Sequence, residues 1–155
     1  MDITQLLDIC ISDKLIDMVI SGQKNKSEDK AVKVRIRPVI LKNEIEYQVS
    51  EFVGRKVLHS NHSAADVKKK IIDYMTEDFK QAQINMTDAA ATILSCKSKT
   101  LTCKYKKAGQ LKVQRDLSHN RTKKYIIQEG KPVAFMIDLG VMGQDGKIIR
   151  TRYDK

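Results

Sequence analysis

The sequence predicts an α+β domain: a mostly antiparallel sheet of about five strands with two main helices, in the order helix, three strands, helix, two strands, then a C-terminal mixed segment. Two segments carry apolar residues at helical spacing, and three others alternate apolar with polar residues at the period of two expected of half-buried strands. No long alternation of strand with helix signals a parallel, doubly wound sheet.

From Ile3 to Ile20, the residues Ile3, Leu6, Leu7, Cys10, Ile11, Leu15, Met18 and Val19 recur at helical spacing, with aspartates mostly between them. This predicts one amphipathic helix, closed by Ser21-Gly22. Residues 23–30 are polar and read as a loop. In "AVKVRIRPVI", Val32, Val34 and Ile36 alternate with Lys33, Arg35 and Arg37; after a turn, Ile45, Tyr47 and Val49 alternate with Glu44, Glu46 and Gln48. Acidic outer positions on one arm can then face basic ones on the other, which makes Arg35 and Arg37 structural residues first and ligand contacts second. "GRKVLHS" supplies a third short strand. Ser63, followed three residues later by Asp66, predicts a helix start, and Val67, Ile71, Met75, Phe79 and Ala82 continue its apolar stripe. "AATILSCKSKTLTCKYK" reads as a second hairpin whose last arm alternates Leu101, Cys103 and Tyr105 with Thr102, Lys104 and Lys106. The C-terminal segment holds Pro132, an apolar run from Val133 to Met142 and a turn signal at 144–146.

With 155 residues, the chain fits a single domain over 1–155 with a loosely attached end. No apolar stretch nears the roughly 20 residues needed to cross a bilayer, and no membrane partner is expected. The first residues carry acids where an export signal would carry bases, and three cysteines are an odd count; together they predict free thiols in a reducing cytoplasm. The net charge of +10 is uneven. Residues 97–124 hold ten bases and one acid, and the remainder holds nineteen bases and eighteen acids. Such a localised excess fits contact with a phosphate backbone, against the plainer reading of a solvated cationic face. Tyr105 and Tyr125 are the nearest aromatics, too few for base stacking to lead. The expected nucleic-acid contacts are Lys104, Lys106, Lys107, Lys112, Arg115, His119, Asn120, Arg121, Lys123 and Lys124.

Other chemistry is weakly signalled. His59 and His62 are spaced HxxH without a second ligand pair, so no metal is expected. Cys96 and Cys103 read as small packing residues across the second hairpin. Ser118, His119 and Asn120 are consecutive, and consecutive side chains do not converge as a nucleophile, base and orienting group must. The seven glycines form no phosphate-cradling loop, so no catalytic or cofactor-binding residue is expected in this chain. Helix, three strands, helix is also the order of a double-stranded-RNA-binding domain, but that module's glycine-containing loop is missing, and the likeness is one of order alone.

From Asp116 onwards the chain carries "SHNR.KKY" at 118–125, "EGKPV.F" at 129–135, "LGVM" at 139–142, "DGK" at 145–147 and "RYDK" at 152–155. These resemble a block of a bacterial class I S-adenosylmethionine-dependent methyltransferase family, related to the methyltransferase domain of the glutathione-S-transferase C-terminal-domain-containing protein. "VKVRIRPV" and "EYQVSEFVG..V.H" resemble its upstream region more loosely. In that family "RYDK" leads into a Rossmann-type catalytic domain, whose motifs have no counterpart here, so the resemblance implies that 115–155 is a segment connecting towards an absent catalytic domain. The resemblance therefore implies an N-terminal, non-catalytic accessory domain that presents substrate, with RNA and its own C-terminal catalytic domain as partners and S-adenosylmethionine as the parent's cofactor. The rival is a protein-interaction or oligomerisation domain, supported by the apolar run "PVAFMIDLGVM"; alternatively Phe135, Ile137, Leu139 and Val141 complete this domain's own core. A self-contained enzyme ranks third.

Overall fold

The computed structural model describes residues 1–96, 100–109, 117–119 and 125–149. Two compact units are present, Met1–His119 and Asn120–Lys155. The first runs α1 (Ile3–Cys10), β1 (Leu15–Gln23), β2 (Lys33–Leu41), β3 (Glu44–Val53), β4 (Lys56–His62), α2 (Ala64–Asp73), a π-helical turn (Tyr74–Asp78), β5 (Phe79–Met86), β6 (Ala89–Ser95) and β7 (Leu101–Lys107). The seven strands form one sheet in the order β4-β3-β2-β1-β5-β6-β7, antiparallel at every pairing. Two meanders, β1 to β4 and β5 to β7, meet where β1 pairs with β5, and α2 carries the chain from the β4 edge back to the centre.

This corrects the expected five strands in the order helix, three strands, helix, two strands. The two additional strands, β1 and β5, are the central pair, and each was absorbed into a helix by its spacing. In β1 the register shifts between Leu15 and Asp17, so buried Leu15 and Met18 lie three residues apart on one face and imitate a helical stripe. The expected helix over Ile3–Ile20 ends at Cys10 instead. The second stripe runs through Val67, Ile71 and Met75 to Phe79, but the Phe79 N–H bonds Tyr74 O five residues back, and Phe79 itself is extended at φ −125, ψ 156. The chain leaves the helix through that wide turn and enters β5 without losing its apolar spacing.

Local chemistry fixes the helix starts. Ser63 caps α2: its Oγ accepts from Asp66 N at 3.2 Å and donates to Asp66 Oδ2 at 2.7 Å. Asp2 caps α1 with Gln5 reaching back to its N–H at 3.3 Å, a reciprocal capping box. Both helices lie on one face of the sheet. Leu6, Leu7 and Cys10 of α1 with Val67 and Ile71 of α2 share one core with Met18, Ile20, Val34, Ile36, Ile84 and Ile93. Within the first unit neither helix packs on the opposite face of the sheet, hereafter the helix-free face.

In the second unit, α3 (Ala134–Asp138) follows Val133, and Met142 bridges Ile148. The expected turn at 144–146 is present, and Gly146 is required there twice over. Its φ is +76°, and a Cβ would stand 2.7 Å from Gly130 C and from Lys131 N. The expectation that Phe135, Ile137, Leu139 and Val141 complete a core fails: Phe135 and Leu139 are 55% and 66% exposed, and α3 buries none of its residues. Among the described residues no helix is long and apolar enough to cross a membrane.

Candidate nucleic-acid interface

Strand alternation sorts each residue to one face of the sheet. Opposite the core, β2 presents Lys33, Arg35 and Arg37, β5 presents Gln81, Gln83 and Asn85, and β7 presents Thr102, Lys104 and Lys106. Cross-strand register aligns Arg35, Val19, Gln83, Thr92 and Lys104 in one row across five strands. At a strand spacing of about 4.8 Å, Arg35 and Lys104 stand about 19 Å apart along the sheet. From β2 to the edge strand β7 the face is therefore a polar strip with cations at the strip's two margins and an amide row between them, and β3 and β4 extend the sheet beyond β2.

Three acids share this face. Asp17 is neutralised in place: Arg35 Nη2 donates to its Oδ2 at 2.7 Å and Asn85 Nδ2 to its Oδ1 at 2.9 Å, with the Asp17 side chain only 16% exposed. Glu44 and Glu46 stand at the far end, beside the β2–β3 turn. The hairpin does not pair its own charges as expected. Arg35 lies opposite Ser50 and Arg37 opposite Gln48, while Glu44 and Glu46 oppose Leu41 and Val39. Arg35 instead finds its acid on the neighbouring strand β1, at Asp17.

Of the expected contact residues, Lys104 and Lys106 lie together on this face, both exposed. Lys107 belongs to the other side, opposite buried Ala89 and next to Asp88, whose carboxylate accepts from Lys14 Nζ at 2.7 Å. That hydrogen bond holds Asp88 below the usual carboxylate range and raises Lys14. Lys112, Arg115, Asn120, Arg121, Lys123 and Lys124 lie outside the described residues.

His119 sits at the β2–β3–β4 corner of the same face. Arg37 donates from Nη1 to Ser118 O at 3.0 Å and from Nη2 to His119 O at 2.9 Å, while its Nε donates to Gln48 Oε1 at 3.1 Å. The last bond orients the Gln48 amide, so that its Nε2 meets His119 Nε2 at 3.4 Å; Asn61 Nδ2 approaches the same nitrogen at 3.3 Å. An amide nitrogen only donates, so His119 Nε2 is placed to accept from both side chains. Leu117 O accepts from Ile40 N at 2.9 Å, so residues 117–119 are tied across β2. Beneath them Val39 is fully buried outside the main core.

A cleft of about 790 Å³ places Lys24 and Lys80 beside Glu77, with Lys24 Nζ already donating to Met75 O and Thr76 O. A pocket of about 300 Å³ on the helix side is lined by Asp29, Glu51, Glu77 and Asp78 against the single base Lys30, a set that repels phosphate. Within it the Tyr74 hydroxyl donates to Glu51, and burial together with that carboxylate pushes the phenol well above its ordinary value. His59 and His62 point to opposite faces of β4, hydrogen-bonded to Ser50 and Ser60 respectively, and do not converge. Cys103 lies opposite Ile93, and it influences Cys10 of α1, whose thiol burial pushes up to about 11. All three cysteines are free thiols.

Sequence reasoning missed the β5 amides because it placed 79–82 in a helix. The signal was present, since "QAQINM" alternates polar and apolar residues at period two over 81–86. No family model, curated protein or solved structure matches this chain.

Proposed function

We propose that this chain is an RNA-binding accessory domain that presents substrate to an S-adenosylmethionine-dependent methyltransferase module. The supporting observation is the helix-free sheet face. Its exposed cations Lys33, Arg35, Lys104 and Lys106 outnumber its acids, and the acid nearest the centre, Asp17, is already bound by Arg35. Such a surface attracts a phosphate backbone and supplies positioning energy. The methyltransferase half of the reading rests on the resemblance of 118–155 to that family. On this reading methyl transfer and the cofactor belong to a catalytic partner domain, and this chain's residues bind and orient.

The test is an anisotropy titration with a structured RNA at two salt concentrations, comparing the native chain with Lys104→Gln/Lys106→Gln. Two lost phosphate contacts lower affinity and reduce the slope of log K against log salt by about 2. Equal affinity and equal slope for both proteins would falsify the reading.

A protein-interaction role has one specific observation in its favour. In the second unit Tyr125, Ile126, Phe135 and Leu139 are exposed at 63%, 104%, 55% and 66%. Sedimentation of the native chain and of Phe135→Ser/Leu139→Ser separates the readings: a concentration-dependent dimer lost in the variant favours association.

A further inference from the structure

We infer that the helix-free face holds double-stranded RNA across its shallow groove, the β5 amides meeting 2′-hydroxyls between two cationic rows that take the phosphates. This rests on the RNA-binding reading above and narrows it.

Shape and hydrogen-bond direction distinguish the two grooves of a duplex for this face. A-form RNA has a wide, shallow groove lined by 2′-hydroxyls and a deep, narrow one that side chains cannot read. An open antiparallel sheet suits the first and cannot enter the second. Its cations stand at the margins, Lys33 and Arg35 on β2 and Lys104 and Lys106 on β7, about 19 Å apart. Two strands in from each margin runs the exposed row Gln81, Gln83 and Asn85. Asn85 Nδ2 is committed to Asp17, and because a carboxylate only accepts, this fixes the amide with its oxygen as the acceptor. Gln81 Nε2 likewise donates to Ser21 Oγ at 3.1 Å. Gln83 makes no side-chain hydrogen bond among the described residues. A row biased towards acceptors selects a partner that donates, and a 2′-hydroxyl donates where DNA has only hydrogen.

Single strands fit less well. Their affinity for such faces comes from stacking on aromatic side chains. Phe52 is an aromatic on this face, and Lys33 Nζ already covers its ring at 4.5 Å.

The experiment titrates the full chain against an RNA duplex of about 20 base pairs, the DNA duplex of the same sequence and one RNA strand alone. The expected result is a preference of about tenfold for the RNA duplex over either competitor. Gln81→Ala/Gln83→Ala/Asn85→Ala abolishes that preference while keeping the salt slope. Because the triple variant also loses the Asp17 contact, Gln83→Ala alone serves as a second variant. It lowers the preference about two- to threefold with an unchanged urea midpoint. Equal affinity for RNA and DNA duplexes, tighter binding of the single strand, or a preference intact in both variants overturns the inference. Binding of the single RNA strand alone leaves the RNA-binding reading standing, whereas no binding to any of the three removes both.

Discussion

Asp17 decides two properties at once. It lies on the central strand of the sheet, holds Arg35 at 2.7 Å and Asn85 at 2.9 Å, and is mostly shielded from water. Asp17→Ala leaves both donors without this acceptor and costs about 1.5–3 kcal/mol by urea unfolding, the range for hydrogen bonds to a charged group. The same change removes an acid from the basic face, so RNA affinity rises while stability falls. A purely structural face would show the first effect without the second. Tyr74 gives a separate handle. Its phenol is raised by burial and by Glu51, so the folded state favours the protonated form. A group raised on folding stabilises below its unfolded value, near pH 10, and that contribution is lost as pH rises further. Urea midpoints at about pH 9 and about pH 11 should therefore fall further for the native chain than for Tyr74→Phe. At neutral pH the variant is less stable by about 1 kcal/mol, because Glu51 loses its donor.

At the scale of elements, the central pair of strands separates the observed fold from the one the spacing suggested. In β1, Ile20 is fully buried in the core, whereas Val19 sits on the other face, in the row with Arg35 and Gln83. Ile20→Ala costs about 2–5 kcal/mol, and Val19→Ala less than about 1 kcal/mol; the helical spacing, whose apolar stripe holds Val19 and not Ile20, predicts the reverse order. Strands whose outer positions are polar were legible, as in Lys33 to Arg37, Glu44 to Val49 and Leu101 to Lys106, where one solvated face produces clean alternation. So was the start of α2 at Ser63, because capping is local chemistry. What escaped was β1, where a register shift puts buried residues three apart, and β5, which continues the stripe of α2 through a π turn. Both errors arise because an apolar spacing of three or four is consistent with a helix or with an irregular buried strand, and only the partner strands decide. The misreading also hid the site. With β1 and β5 taken as helices, Asp17 could not be seen beside Arg35, nor the amide row between the two cationic margins.

For the molecule as a whole, one seven-stranded sheet divides its two faces between two tasks. One face carries α1 and α2 and supplies the core; the other displays cations, amides and hydroxyls to solvent. The helix side is mixed in charge, with Lys68, Lys69 and Lys70 on α2, but its pocket is acidic. The helix-side pocket gathers Asp29, Glu51, Glu77 and Asp78, while Lys33, Arg35, Lys104 and Lys106 stand on the opposite side. On the proposed reading, phosphate is attracted to the helix-free face and repelled from that pocket. The central claim is that this helix-free face is the binding surface, and the most direct test is a backbone-amide NMR titration of the full chain with an RNA duplex. The account predicts shifts concentrated on β2, β5 and β7, around Arg35, Gln83 and Lys104, with α1 and the Glu51–Tyr74 pocket unmoved. Shifts confined to α1, α2 or the pocket, with the β5 and β7 resonances unchanged, would contradict it.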